Sequence, residues 1–292
     1  MDELKESEEL IENLTNQLVE QFLTNIEILE KLTVLTEKFF DGNHSKFVSE
    51  KSVIIGNELG FKDESLTELK ISAALHDLGK IGFNDTLLFK NVAEMEPNEL
   101  KTYHKHPEIA YNVLKINPHF SEIAKIILQH HEKLDGTGFP FHLTSEKIHP
   151  AAKIINVVDI YHIAIFKRRT SGKKNITTLQ SINTASFLEG TKERFNNVMN
   201  YLYNKRGVQF EKKIVELLIE IETEERRKMG AQSVVRLPVN QIEAGMRVGD
   251  DYYTSYGMLI ASRGEMLTNE NIRALLRFAE NGELPMKILV IT

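Results

Sequence analysis

Apolar residues recur at spacings of three and four through most of this chain, and the rhythm shortens only near its end. Ile11, Leu14, Leu18, Phe22, Ile26, Leu29, Leu32 and Phe39 predict helix from the start to about residue 40. Asp41-Gly42-Asn43 then breaks it. Phe47, Val48, Val53, Ile54 and Leu59 predict a second helix over 45–59, with Gly60 past its end. Ser65-Leu66-Thr67-Glu68 reads as the capping box of a third helix running to His76-Asp77, with Gly79 as the stop. Pro97-Asn98 opens the next segment, where Tyr103, His106, Ala110, Val113 and Leu114 share one stripe, and Pro107 kinks or restarts the helix. Ile123 to Ile127 lead a further helix to His130-His131. Residues 151–166 are apolar nearly all round, the pattern of a buried central helix. More helix is predicted across 176–228, including an amphipathic stretch from Phe210 to Ile221.

Near residue 232 the pattern changes. Val234 to Leu237, Val248 to Thr254, Met258 to Ala261 and Lys287 to Ile291 read as short strands. One helix fits Asn269 to Glu280, with Thr268 as its N-cap and Gly282 after its end. The fold class expected is therefore mainly α, a helical bundle with a small C-terminal α+β module. Three parts are expected: an N-terminal helix over 1–24, a helical domain over 25–230, and the module over 231–292. The first part is read either as packed on the domain or as a dimerising helix.

Composition narrows the chemistry. No run of 18 apolar residues exists and the N-terminus is acidic, so neither a membrane span nor a secretory signal is expected. A cytoplasmic location is the default. Cysteine is absent, so a bound metal must use nitrogen and oxygen ligands. The net charge of −6 disfavours broad binding to DNA, and a small anionic substrate would need a local positive site.

Histidines and aspartates supply the candidates for that site. His76-Asp77 is followed by Gly79 and Lys80, and His44, His106, His130, His131 and Asp159 stand at long separate intervals. Singly, each has an ordinary reading: a cap, a turn aspartate, a hydrogen-bonded core histidine. Asp159 is different, because it is the only acid in the apolar helix and an unpaired buried carboxylate is costly. His162, three residues on, is read as a supporting partner or a core histidine before a ligand. His130 and His131 point about 100° apart on a helix, so both can reach one site only near a helix end. Asp135-Gly136-Thr137-Gly138-Phe139-Pro140 follows them as a turn-rich loop, which permits close approach of a ligand to backbone. His76 and Lys80, four apart, would share a face if the helix continued. The basic run 167–174 reads as solvated.

With these residues in order, the chain resembles the HD-GYP family of the HD phosphohydrolase superfamily over roughly residues 25–220. HDLGKIG at 76–82, HPEIA at 106–110, HHEKLDGTGFP at 130–140 and VVDIY at 157–161 carry the likeness. The resemblance implies a metal-dependent phosphodiesterase that hydrolyses cyclic di-GMP to pGpG, and onward to GMP, by attack of a metal-bridging hydroxide. It implies two divalent metals, iron or manganese: one on His44, His76, Asp77 and Asp159, the other on Asp77, His106, His130 and His131. Asp77 and Lys80 would be catalytic. Lys80, Asp135, Gly136, Gly138, Phe139, Pro140 and Arg168 would contact substrate. A homodimer through the N-terminal helix and signalling-protein partners are also expected.

The chain departs from the family in several places. Phe139 stands where the family has Tyr, and His162 where it usually has Asp. Arg168-Arg169-Thr170 replaces Arg-Pro-Tyr, and His142 and Ser145 replace common glycines. Phe40 occupies the position of the Glu found in three-metal members, hence the expectation of two metals. Two competing readings remain beside the phosphodiesterase: a catalytically weak nucleotide- or metal-binding signalling protein, and an HD phosphohydrolase acting on another cyclic dinucleotide.

Overall fold

Among the described residues, the computed structural model has eleven α-helices, α1 to α11, and five short strands. The structure describes residues 2–37, 44–90, 92–166, 184–230, 234–250, 252–254, 259–261 and 264–291. Arg168, with the basic run 167–174, and Phe40 lie outside the described residues. No helix among those described is long and apolar enough to cross a membrane.

The chain divides into two compact units, the boundary falling after Ile214. The first contains α1 (Asp2–Val34), α2 (His44–Glu58), α3 (Asp63–Leu75), α4 (Asp85–Phe89), α5 (Pro97–Tyr103), α6 (His106–Leu114), α7 (Ser121–Gln129), α8 (Pro150–Phe166) and α9 (Thr184–Lys205). Helix α8 is the axis of this unit. Ala151, Ile154, Ile155, Val157, Val158 and Tyr161 have no solvent exposure, as an all-round apolar helix requires. Helices α2 and α7 pack on it, and α3 packs on α2 and α7. A core of Leu75, Leu78, Ala110, Leu114, Ile123 and Ile127 joins α3, α6 and α7. Phe22 and Ile26 of α1 reach this core, with the Phe22 ring stacked 5.1 Å from Phe120.

Two local expectations are corrected. Helix α3 begins at Asp63, two residues before Ser65. The Ser65 hydroxyl accepts the Lys62 N–H at 3.0 Å, so it closes the first turn from inside rather than capping it. Val113 is exposed, although it shares the predicted stripe, because α6 is short and buries only the side of Ala110 and Leu114. Two breaks stand where expected, Gly60 with φ +85° and Pro107 in the first turn of a new helix, α6, while the expected break at 41–43 lies outside the described residues.

The second unit contains most of α10 (Lys212–Gly230), then β1 (Val234–Pro238), β2 (Arg247–Val248), β3 (Tyr252–Tyr253), β4 (Leu259–Ala261), α11 (Asn269–Glu280) and β5 (Lys287–Ile291). Strand β5 is central, antiparallel to β1 and β2 on either side, and β3 pairs with β4. Thr268 caps α11 by accepting the Asn271 N–H at 3.2 Å. Leu275, Ile288 and Val290 centre a core of its own.

Candidate metal centre

Every candidate ligand stands at or next to a helix end except Asp159, which projects from the middle of α8. His44 opens α2. His76 caps the C-terminus of α3, and Asp77 follows it into a 3-10 turn over Leu78–Gly82. His106 opens α6, and His130 caps the C-terminus of α7, with His131 one residue beyond. The chain folds this way partly because of Gly79. A Cβ there would stand 1.9 Å from the His106 carbonyl oxygen, so only glycine lets the turn bearing Asp77 lie against the residue that opens α6.

These residues form two abutting groups, His44 with His76 and Asp159, and Asp77 with His106, His130 and His131. Within the first, His44 Nε2 lies 3.2 Å from His76 Nε2 and 3.3 Å from Asp159 Oδ1. Within the second, His106 Nε2 lies 3.4 Å from His130 Nε2 and 3.0 Å from His131 Nε2. Asp77 stands between them, Oδ1 3.6 Å from His76 Nε2 and 3.7 Å from His106 Nε2, Oδ2 3.6 Å from His44 Nε2. All seven side chains are buried except His131, which is partly so.

Three of the imidazoles are oriented by one device. His76, His106 and His130 each donate Nδ1–H to the carbonyl three residues back: Ala73 at 2.8 Å, Tyr103 at 2.7 Å and Ile127 at 2.6 Å. That fixes the tautomer and leaves each Nε2 lone pair facing the centre. His44 reaches the same end through His162, their Nδ1 atoms 2.9 Å apart. His162 is thus placed as a supporting partner of His44.

The oxygens complete the picture. Asp77 Oδ1 and both carboxylate oxygens of Asp159 are buried with no hydrogen-bond partner among the described residues. Buried carboxylate oxygens without donors are costly, and the inward nitrogens of His76, His106 and His130, held as acceptors, give them none. Divalent cations satisfy both sets at once, so the donor set fits metals bound through nitrogen and oxygen.

Electrostatics agree with that arrangement. Burial pushes the His106 and His131 imidazoles well below their ordinary range, and His130 down to about 4. Burial would also raise the Asp77 and Asp159 carboxyls. For Asp77 the charge of Lys80 and the nearby imidazoles outweigh it, for Asp159 His44 and His76 do, and both stay well below the usual carboxylate range. Burial opposes the charge on His44, yet Asp159 and Asp77 beside it lift that imidazole to about 9.

Lys80 does not share a face with His76, because α3 ends at Leu75. Its ammonium instead lies 2.7 Å from Asp77 Oδ2 and 5.0 Å from the centroid of the Tyr103 ring. The loop after His131 lies over the second group. The Phe139 ring is 4.6 Å from that of His131 and stacks on His104 at 3.9 Å, 17° from parallel. Gly138 abuts the backbone of His131 and Glu132, and Gly136 has φ +75°. Asp135 lies further out, its Oδ1 accepting the Thr137 N–H at 3.0 Å. Pro140 follows Phe139 through a cis peptide bond.

Three supporting residues escaped the sequence reading. Glu132 is buried and accepts the Phe141 N–H at 2.7 Å and the Leu143 N–H at 2.9 Å. Asn156 donates to the His130 and Glu132 carbonyls at 2.6 and 3.1 Å. His104 lies off the stripe that carries His106, yet its ring stacks on Phe139. A signal existed for Asn156, which precedes Asp159 by three residues and so shares its face of α8.

Residues 27–192 match the family model described as HD domain. Among curated proteins, the chain is 29% identical over 198 residues to a cyclic di-GMP phosphodiesterase response regulator of Xanthomonas campestris, covering 66% of this chain and 47% of that one. It is 31% identical over 164 residues to a cyclic di-GMP phosphodiesterase of Thermotoga maritima, covering 53% and 44%. It is also 31% identical over 123 residues to a 3'3'-cGAMP-specific phosphodiesterase of Vibrio cholerae, covering 42% and 26%. The chain spans less than half the length of these relatives.

Proposed function

The chain belongs to the HD domain family, and from that premise we propose that it is a metal-dependent phosphodiesterase of the HD-GYP branch that hydrolyses cyclic di-GMP to pGpG, and pGpG onward to GMP. The observation that carries this reading is the seven-residue set of nitrogen and oxygen donors, with Asp77 Oδ1 and both Asp159 oxygens left without a hydrogen-bond partner among the described residues. His44, His76, Asp77 and Asp159 would hold one divalent ion, and Asp77, His106, His130 and His131 a second. Iron or manganese suits mixed imidazole and carboxylate ligands. Such a pair, when bound, supplies an acidified water as nucleophile and positive charge against the phosphodiester oxygens.

The chain's own residues do the rest. Asp77 joins the two groups through its two oxygens. Lys80, held on Asp77 beside the centre, offers a cation to the charge that builds on phosphate. Phe139, stacked on His104 over His131, offers an apolar face and excludes water there. Asp135, Gly136, Gly138 and Pro140 shape the loop along which substrate would lie, and Arg168 is proposed as a further phosphate contact. A cytoplasmic location, a homodimer through the N-terminal helix and signalling-protein partners belong to the same proposal.

The test is product analysis after anaerobic loading with Fe(II) or Mn(II). Appearance of pGpG, lost with chelator and in Asp77→Ala, is the expected outcome. Two bound metals per chain with no product would favour the second reading, a signalling protein that binds metal and nucleotide. Phe139, which lacks the family's hydroxyl, is the residue that favours it. A large gain in rate on Phe139→Tyr would locate the handicap there. Turnover of cyclic GMP-AMP in preference to cyclic di-GMP would assign the substrate to the class named for the Vibrio relative.

A further inference from the structure

Helix α1 is 33 residues long, and a long stretch of it is open to solvent. Every residue from Leu10 to Gln21 is exposed. Only its later part is anchored, through Phe22, Ile26 and Leu29 on the core and a buried Thr33. A free-standing stretch containing Asn13, Thr15 and Asn16 is a poor helix in water, since isolated helices of this length are marginal even with good formers.

The exposed face has a strict order. Ile11, Leu18, Asn25 and Leu32 repeat every seven residues, and Leu14, Gln21 and Ile28 fill the position three residues after each of the first three. The apolar members are between 36% and 68% exposed, so the stripe is not spent on the domain. Packing on the domain uses Phe22, Ile26 and Leu29, each one residue off the stripe and so about 100° round the helix. The charges respect the same seam. From Leu10 to Thr36 the acids are Glu12, Glu20, Glu27 and Glu30, and none falls on the stripe or on the positions that flank the seam, 10, 15, 17, 22, 24, 29 and 31. Over that stretch the helix can therefore meet its own copy without acids facing each other across the contact.

From this we propose that α1 pairs with α1 of a second copy of this chain as a parallel, in-register two-stranded coiled coil. Asn25 sets the orientation. In a parallel pair it faces Asn25 of the partner subunit and the two amides bond to each other. In an antiparallel pair it meets an apolar residue and is left unsatisfied. The proposal deepens the homodimer reading and is independent of the phosphodiesterase chemistry, which product analysis tests on its own.

The experiment uses the full chain, whose lack of cysteine makes single-cysteine variants clean reporters. Wild-type protein is expected to sediment at twice the chain mass, and the Leu14→Glu/Leu18→Glu variant as a monomer with unchanged metal content. Both side chains are at least half exposed, so these changes do not disturb the core. Ile11→Cys and Leu32→Cys are each expected to form a disulfide dimer under mild oxidation, and Asn16→Cys, on the outer face, is not. In an antiparallel pair centred on the stripe, each of those two positions would lie about 30 Å from its copy. A monomeric wild type, a double variant that remains dimeric, or failure of either disulfide would each overturn the proposal.

Discussion

The Nδ1 atom of His44 lies 2.9 Å from the Nδ1 atom of His162, which makes the orientation of one candidate ligand depend on a second imidazole. Two imidazole nitrogens at that distance share one proton. If His44 donates it, its Nε2 is a lone pair facing His76, Asp77 and Asp159, and His162 is the acceptor. His76, His106 and His130 use backbone carbonyls for this purpose, whereas His44 depends on a mutable side chain. His162→Ala is expected to weaken binding of one metal by about 10–100-fold, the usual cost of losing such a partner. His162→Asp restores an acceptor and is expected to recover most of that loss. Metal titration followed by elemental analysis reads both. Equal affinity in His162→Ala and wild type would remove the supporting role.

Gly79 makes a sharper claim about geometry. Its missing side chain is the space occupied by the His106 carbonyl, so Gly79→Ala forces the turn over Leu78–Gly82 away from α6. Overpacking of this kind costs about 1–3 kcal/mol. The displaced group is Asp77, which stands between the two sets of ligands. Gly79→Ala is therefore expected to lower the midpoint of thermal unfolding and to reduce bound metal below the proposed two ions per chain. A variant that unfolds earlier yet still holds two would separate the packing role from the site.

Much of this was legible in the sequence, for definite reasons. Asp159 announced itself because a lone acid in a helix that is apolar all round has no cheap alternative. His130 and His131 had to lie at a helix end because adjacent side chains diverge. What was not legible depended on carbonyls and small clearances. Lys80 was set against His76 by counting four residues, but the helix stops at Leu75 and the lysine turns to Asp77. Ser65 looked like a cap from its spacing to Glu68, yet the backbone enters at Asp63 through φ +47°, which no propensity foretells. Glu132 carries no signal by itself, since its partners are the amides of Phe141 and Leu143 on a loop that must first be folded.

Acidity links the site to stability in the chelated protein, with opposite signs on its two sides. His130 titrates at about 4 in the fold against 6.5 unfolded, and His106 and His131 are lowered in the same direction. The unfolded chain thus takes up protons first. Their contribution is complete above pH 6.5 and is lost as pH falls toward 4. His44 is raised to about 9, so its contribution is complete below 6.5 and disappears as pH rises through 9. Unfolding of chelated protein by denaturant is expected to show maximal stability near pH 6.5. Stability that rises steadily from pH 6.5 to 9 would contradict the assignment of His44.

The same proton should be visible when metal binds. A coordinating imidazole is neutral, so an ion entering the first group at neutral pH must displace the proton held on His44. Calorimetric titrations in buffers of different ionisation enthalpy are expected to report release of about one proton per chain below pH 9, fading above it. Metal binding with no buffer dependence would show that His44 enters the complex already neutral.

Glu132 gives the clearest separation between holding metal and using it. Its carboxylate accepts two loop amides from within the fold, and it belongs to neither group of candidate ligands. Glu132→Ala leaves the Phe141 and Leu143 amides without their acceptor, at a cost of about 1–3 kcal/mol for each that stays buried. Glu132→Gln keeps one acceptor oxygen but turns an NH2 group toward the other amide. The loop that bears Phe139 is expected to loosen in both, while His130 keeps its own anchors at the Ile127 carbonyl and Asn156. Bound metal should then stay at the wild-type level. KM for the cyclic dinucleotide should rise several-fold more than kcat falls, because the loop is placed along substrate rather than at the ions. A parallel fall in metal content and kcat with KM unchanged would move Glu132 from the loop to the metal centre.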